Sequence, residues 1–439
     1  MATTRLTRSI TGSNATKATL SFWIKRSEIG GGAYVVFTNR IDASNDTLVR
    51  FTGDKLDFKD YQSGSNAARL ETTQFFRDTG AWYHLVISID TTLATANDRQ
   101  KMYVNGEQIT AFASRTNYAQ NTVLNINKTG TMEIGANNSA DYFNGLMSYF
   151  ACVDGTAYTP TSFGEVNAAS GIWKINTAPS VTYGNNGFFL KMDTTSPGSD
   201  TSGNDNTFTA AGTPTLTQDN ASSNFCTLTP LIRMSASLTN GNTSINDTDS
   251  AWHGGGSTMG VSSGKWYWEY ELTRIGNYSQ DGVMGGLAGN GYNDIYATFV
   301  GSKTAGVALN TGEGSIYSAD SSTAWFGSAN SQGQIIGVAL DLDNNKIYYS
   351  QNGVFGNSSN PASNTNGYAL SATVIANKPL LPCFSIYNCN ISYNFGNGFF
   401  KTTAVTSSNA DAAGHGLFEY AVPTGFFTLN TKNLNTYGG

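Results

Sequence analysis

QIIGVALDLDNNKIYYSQNGV, residues 334–354, reads strand, turn, strand, turn. Ile335, Val338 and Leu340 supply apolar positions, with Gly337 and Ala339 interrupting the alternation. Asp343-Asn344-Asn345 is a turn cluster, because short polar side chains bond their own backbone and tolerate left-handed φ. Ile347-Tyr348-Tyr349 opens a second β-rich run, and Asn352-Gly353 marks another tight turn. An echo lies upstream: HLVISID at 84–90, a polar spacer, then KMYVNGE at 101–107. Both copies run apolar strand, Asp, loop, Lys, apolar residue, Tyr, then Asn-Gly. Shared hairpin chemistry alone would account for one echo; two β-sandwiches in tandem would also account for it, and the rest of the chain favours the tandem.

The chain has 439 residues, room for about two or three domains. Charged residues make up 13%, about half the usual share. The 48 Gly, with abundant Thr, Ser and Asn, fit short strands joined by many turns, and 22 Tyr and 24 Phe recurring in apolar runs exclude a disordered chain. Net charge is −6 without Lys/Arg clustering, which makes nucleic acid a poor partner. No apolar run is long enough to insert in a membrane. Residues 1–15, MATTRLTRSITGSNA, lack the apolar core of a secretion signal, so synthesis in a cytoplasm without that export route is expected. Cys152, Cys226, Cys383 and Cys389 form no CxxC pair and read as reduced thiols packed like small apolar residues; a Cys383–Cys389 bridge across a turn is the alternative.

Taken in order, residues 18–27 (ATLSFWIKRS) put Leu20, Phe22 and Ile24 on one strand face. LVRFTGDKLDFKDY reads as a hairpin about Gly53-Asp54, and TMEIGANN and YFNGLMSYFACVDG add strands. Turn signals at short intervals with no helical period predict an antiparallel sandwich. The order SFWIK, WYHLVISID, MYVNG, MEIG, FNGLMSYFACVDG resembles the laminin-G-like, concanavalin A-like jelly roll, over roughly residues 18–155. GFFLKMDTTSPGSDTSGNDN resembles the opening strand of that family, which implies that residues 187–211, with a strand at 187–193, complete the first sandwich as in a circular permutation. An ordered linker is the alternative.

SGKWYWEYEL, residues 263–272, alternates Trp266, Trp268 and Tyr270 against Lys265, Tyr267, Glu269 and Glu271. The two tryptophans are expected on one buried face. With GVMGGLAGN, the 334–354 hairpin, KPLLPCFSIYN and ISYNFGNGFF, this order resembles the SPRY domain over about 255–400. Residues 265–269, 337–353, 381–384 and 394–396 fit its motifs; Gly285-Gly286, where one Gly is usual, departs from them. The reading is therefore all-β, with two tandem antiparallel jelly-roll sandwiches. Residues 1–211 are concanavalin A-like/laminin-G-like, 212–254 a connector, 255–400 SPRY-like, and 401–439 a tail. The connector QDNASSNFCTLTP, the loop DGTAYTPTSFGE and the ending PTGFFTLNTKNLN resemble tailed-bacteriophage virion proteins that carry this pairing.

No catalytic constellation stands out. His84, His253 and His415 are scattered, with His84 in a strand and the others in loops, and no His pair has metal-ligand spacing. The Glu-x-Asp-x-x-Glu run of jelly-roll glycosidases is absent, and Glu269 and Glu271 belong to the SPRY strand. Asp200, Asn204 and Asp205 offer oxygens in a turn-rich loop that calcium could use, although such loops more often simply turn. The phage resemblance implies a non-enzymatic virion structural protein of tail-fibre or surface-attachment type, recognising a host glycan or protein receptor. The alternatives are an architectural decoration or connector protein binding other virion proteins, and a glycan depolymerase. The expected ligand contacts are Trp252, His253, Tyr278, Asn290, Tyr292, Asn293, Tyr296 and Trp325, exposed aromatics and amides on loops. Packing at a sandwich rim or a subunit interface is the competing account of those aromatics. A homo-oligomer, with a trimer favoured, is expected. Phage fibres are often threefold, and the apolar residues of the tail must dock either on their own sheet or on a neighbour.

Overall fold

Strands Ile335–Asp341 and Lys346–Gln351 pair antiparallel, with Val338 opposite Tyr349 and Leu340 opposite Ile347, so the 334–354 hairpin forms as its sequence predicts. Gly337, which interrupts the alternation, is required by a close approach: a Cβ there would lie 2.6 Å from the Tyr267 hydroxyl. The structure, a computed structural model, describes residues 3–192, 196–232, 236–275, 282–289 and 299–438. Two compact units divide the chain, residues 1–216 with 220–222, and residues 217–219 with 223–439.

The echo between the two hairpins extends to atomic detail. In the first unit Asn105 Oδ1 accepts the His84 N–H at 2.8 Å, and the Asn105 N–H donates to the His84 carbonyl at 2.8 Å. In the second, Asn352 Oδ1 accepts the Ile335 N–H at 2.9 Å, and the Asn352 N–H donates to the Ile335 carbonyl at 2.8 Å. Both asparagines and the following Gly106 and Gly353 have positive φ. An Asn tolerates that conformation and its side-chain oxygen satisfies a backbone donor at the strand end, which is the physical content of the repeated Asn-Gly.

In the first unit an eight-stranded sheet runs Phe112–Thr116, Ser65–Phe75, Lys55–Gln62, Asn45–Thr52, Ala33–Asp42, Gly130–Ile134, Arg5–Ile10, Thr209–Ala211. A six-stranded sheet runs Phe188–Leu190, Gly145–Asp154, Lys17–Arg26, Tyr83–Asp90, Gln100–Val104, Glu107–Ile109. Leu20, Phe22, Ile87 and Phe150 from the second sheet form one buried cluster with Phe37, Val49, Phe58 and Leu70 from the first. The segment after residue 187 supplies an edge strand to each sheet: Phe188 lies opposite Cys152, and Leu6 opposite Ala210.

The second unit holds, among the described residues, a sheet whose path is Ser237–Thr239, Ser244–Asn246, Asn390–Asn394, Lys265–Arg274, Ile335–Asp341, Lys346–Gln351, Val354–Phe355. The facing sheet runs Trp252–Gly256, Leu381–Tyr387, Val283–Ala288, Gly306–Asn310, Ser315–Ser318, Ser321–Ala324. Trp266 and Trp268 are both fully buried, as the period of two predicts. At Gly285 a Cβ would meet the Tyr270 ring reaching across from the other sheet, so glycine makes room there.

The expectation of a connector at 212–254 is corrected, and the tail at 401–439 takes the first of its two expected courses, docking on its own sheet. Ser244–Asn246 pairs with Asn390–Asn394, Trp252–Gly256 pairs with Leu381–Tyr387, and Cys226, Leu228 and Ile245 enter the second core. Phe427–Thr428 adds in parallel to Lys265–Arg274, and Phe426 and Leu429 are fully buried. These strands are two to five residues long and rich in Ser, Thr, Asn and Gly, so they carry no apolar period of their own; their stability comes from the long strands they join. The tail thus docks on its own unit. The case for an oligomer built on undocked tail residues is thereby removed.

Candidate ligand-binding surface

Strand register places an aromatic row on the outer face of the second unit's Trp252–Gly256 sheet. Trp252 lies opposite Tyr387, Met284 opposite Ser385, and Ala308 opposite Tyr317. Ring centroids step from Tyr387 to Trp252 at 5.8 Å, Trp252 to Phe299 at 5.4 Å, and Phe299 to Tyr317 at 5.8 Å. All four rings are half-buried. Buried Met284, Ala288, Val300, Ala308 and Cys383 form the floor beneath them. The Tyr317 hydroxyl donates to Glu313 Oε2 at 2.7 Å, and that bond is the first reason its acidity is lowered, raising the pKa. A row of rings offering both faces and edges, with a fixed carboxylate at one end, can stack on apolar C–H surfaces and bond hydroxyls.

The expected contact residues fare unevenly. Trp252 belongs to this row but sits on a strand, where it stands opposite Tyr387, and not in a loop. His253 is on the same strand; its Nδ1 lies 3.1 Å from Asp247 Oδ1, and its Nε2 lies 3.9 Å from Asp249 Oδ2. Trp325 is 4% exposed and donates its Nε1–H to the Tyr349 carbonyl at 2.8 Å, so it is a core residue and not a contact residue. Tyr278, Asn290, Tyr292, Asn293 and Tyr296 lie outside the described residues. Sequence reading missed Phe299, Tyr317 and Tyr387; only the pairing of distant strands brings them to Trp252.

In the proposed calcium loop, the Asp200 carboxylate already accepts from the N–H groups of Phe189, Ser202 and Asn206 and from the Ser202 hydroxyl. Asn204 turns its amide N–H donors to the carbonyls of Gly184 and Gly187. Asp205 has φ +58, a turn conformation. Asp200 and Asn204 therefore bond within the turn itself. The four cysteines are buried and outside any disulfide, which agrees with the reading of reduced, packed thiols and not with the alternative Cys383–Cys389 bridge; burial pushes the thiols of Cys152 and Cys383 upward in pKa.

Two buried polar centres are structural. His84 is stacked between Trp23 and Trp173, at centroid distances of 4.8 and 5.9 Å. Its Nδ1 accepts from Trp173 Nε1 at 2.9 Å, which fixes the neutral tautomer and leaves Nε2–H to donate to Ser21 Oγ at 2.9 Å. Burial drives its pKa down to about 3. Glu269, fully buried on the face opposite Trp266 and Trp268, accepts from the N–H groups of Glu419 and Tyr420, the Tyr267 hydroxyl and Asn394 Nδ2. On the first unit's large sheet, Asp57 bridges Arg50 and Arg69 across strands, and Arg69 also pairs with Glu71.

Among family models, the concanavalin A-like lectin/glucanase superfamily matches residues 3–160, and the SPRY domain matches residues 265–398. No curated protein matches the chain. Similar solved structures include the SPRY domain of human HERC1, at 16% identity and TM-score 0.31, covering 38% of this chain and 96% of that one. Another human SPRY domain is 13% identical at TM-score 0.28, covering 36% and 93%. The native heptameric SAP-like pentraxin from Limulus polyphemus is 16% identical at TM-score 0.26, covering 36% and 71%. The chain carries a concanavalin A-like, laminin-G-type domain followed by a SPRY domain, two binding-type β-sandwiches in tandem.

Proposed function

We propose that the protein is a non-enzymatic recognition protein of the virion attachment type, which holds a host-surface glycan against the Tyr387–Trp252–Phe299–Tyr317 row. The observation that carries this reading is the row itself: four half-exposed rings in contact, on the outer face of a domain of binding type. Sugar C–H faces stack on such rings, and the Glu313 carboxylate beside Tyr317 is placed to accept hydroxyls. The virion setting is supported by the resemblance of the ending at 423–435 and of the segment at 218–230 to tailed-phage proteins. Attachment through weak single sites calls for repetition, and a closed homo-oligomer, a trimer first, supplies it through effective concentration. Binding of the full chain to a glycan array, repeated with Trp252→Ala and Tyr387→Ala, is the test. Loss of a glycan signal in both variants is the expected result. No glycan signal with the intact chain, together with binding to virion proteins, would favour the architectural reading instead.

A further inference from the structure

We infer that Asp247, Asp249 and His253 form a divalent transition-metal site of the zinc class; the inference is independent of the glycan reading. One ligand atom from each residue can be chosen so that all lie within 4.8 Å of one another. A cluster of acids means little alone, but this one contains unmet bonding capacity inside the protein. The Asp247 side chain is 2% exposed, and among the described residues its Oδ2 has no hydrogen-bond partner. His253 Nδ1 is likewise enclosed and without a hydrogen-bond partner, although it lies 3.1 Å from Asp247 Oδ1. The two atoms are close but not aligned on each other. That is the relation of neighbouring vertices around a shared cation, since ligands bonded at about 2.0–2.2 Å in a tetrahedron stand roughly 3.3 Å apart.

Charge points the same way. Asp247 and Asp249 bring two carboxylates to the cluster, and among the described residues neither forms an ion pair with Lys or Arg; Arg274 Nη2 donates to the Asp247 carbonyl and to Asn388 Oδ1. A bound cation would offset carboxylate charge held in a half-enclosed place. The backbone prepares the Asp247 side: its N–H donates to Asn390 Oδ1 at 3.0 Å, and its Oδ1 accepts the Asp249 N–H at 3.0 Å, which holds the carboxylate with Oδ1 beside His253 Nδ1 and keeps Oδ2 unbonded. His253 is held by the Trp252–Gly256 strand. Asp249 is 66% exposed and is the ligand that closes over the ion from the solvent side. An imidazole with two carboxylates suits zinc and its neighbours; calcium prefers oxygen alone.

The test is equilibrium dialysis of the metal-stripped full chain against zinc alone, with cobalt(II) absorption as a spectroscopic reporter. One zinc per chain is expected, with visible cobalt bands of low-coordinate nitrogen and oxygen ligation. Asp249→Asn, on the surface, should weaken zinc by about tenfold or more without changing the far-UV CD spectrum, and His253→Ala should remove the cobalt bands. Zinc affinity unchanged in Asp249→Asn, no stoichiometric zinc, or a preference for calcium over zinc would overturn the site and establish His253–Asp247 as a plain ion pair.

Discussion

Glu269 Oε1 accepts the Tyr420 N–H at 2.9 Å across 151 positions of sequence, and its other oxygen accepts the Glu419 N–H at 3.0 Å. One buried carboxylate thereby fastens the closing segment to the middle of a sheet strand. Burial outweighs its four donors and pushes Glu269 up to about 7. The sign follows from proton counting. Between the unfolded value near 4.5 and about 7 the folded state binds more protons, so stability is full below that window and falls as pH rises through it. The size is about 3 kcal/mol at most. The melting temperature of the second unit should drop from pH 5 to pH 8, and Glu269→Gln should flatten that slope. A rise over the same interval in the wild type would exclude it.

His84 titrates with the opposite sign. Its pKa of about 3 lies below the ordinary 6.5, so the folded state binds fewer protons in between, and the stability it contributes is lost as pH falls through that range. Asp60, which burial lifts to about 6, opposes this, because its contribution falls as pH rises from 3.8. Thermal unfolding of Asp60→Asn at pH 4 and 6.5 should expose the His84 slope, with lower stability at pH 4. His84→Gln made in that background should remove most of the difference.

Gly353 has φ +82, and a Cβ there would lie 2.6 Å from the Tyr420 ring. Gly353→Val meets both the left-handed strain of a β-branched residue and that ring, and should destabilise by at least ~1 kcal/mol. Gly53, equally left-handed at φ +56 but with open space around its Cβ position, separates the two causes. Gly53→Ala should cost less in the same chemical-denaturation measurement.

Trp268 is fully buried opposite Val338, and among the described residues its Nε1 has no hydrogen-bond partner. Trp268→Ala should cost roughly 3–5 kcal/mol through lost contact and the cavity left behind. Trp268→Phe keeps most of the apolar volume and gives up no hydrogen bond, so it should cost clearly less. Equal losses in the two variants would mean that the indole nitrogen does have a partner.

Much of this was legible wherever strands are long. The alternation at 265–272 and the Asn-Gly turns locate hairpins because period-two patterning and positive φ are local properties. What covers a strand is not local. Lys265, Tyr267, Glu269 and Glu271 look like a wet face, yet Tyr267 and Glu269 are buried beneath Phe418 and its neighbours, which arrive from far along the chain. Trp252-His253 before three glycines has the appearance of a loop because a short edge strand needs no apolar repeat when its partner Leu381–Tyr387 supplies the ladder. Trp325 looked available because an aromatic that follows a run of Ser, Thr and Ala carries no sign of the Tyr349 carbonyl that receives it.

The closing segment should behave as part of the second core. Asp411 anchors it: Oδ1 accepts from the N–H groups of Ala413 and His415, and Oδ2 accepts from the Thr428 N–H and from Asn433 Nδ2. Phe426 and Leu429 are fully buried, and the Cys226 N–H donates to the Leu429 carbonyl at 2.9 Å, so residues near both ends of the unit depend on this segment. Ending the chain after residue 410 would uncover Tyr267 and leave the Glu269 carboxylate short of two backbone donors. It would also strip the Phe427–Thr428 pairing from Trp266 and Tyr267 of the Lys265–Arg274 strand. Each uncovered large side chain costs about 1.5–3 kcal/mol, and several together exceed the usual stability of a domain. The truncated protein should therefore lose the second unit's cooperative melting transition while the first unit, which holds none of these residues, keeps its own. Asp411→Ala should give a weaker version of the same effect, a lowered transition for the second unit alone. Two unchanged transitions after truncation would show that the segment is an appendage and that the sheet can bear its own exposed face.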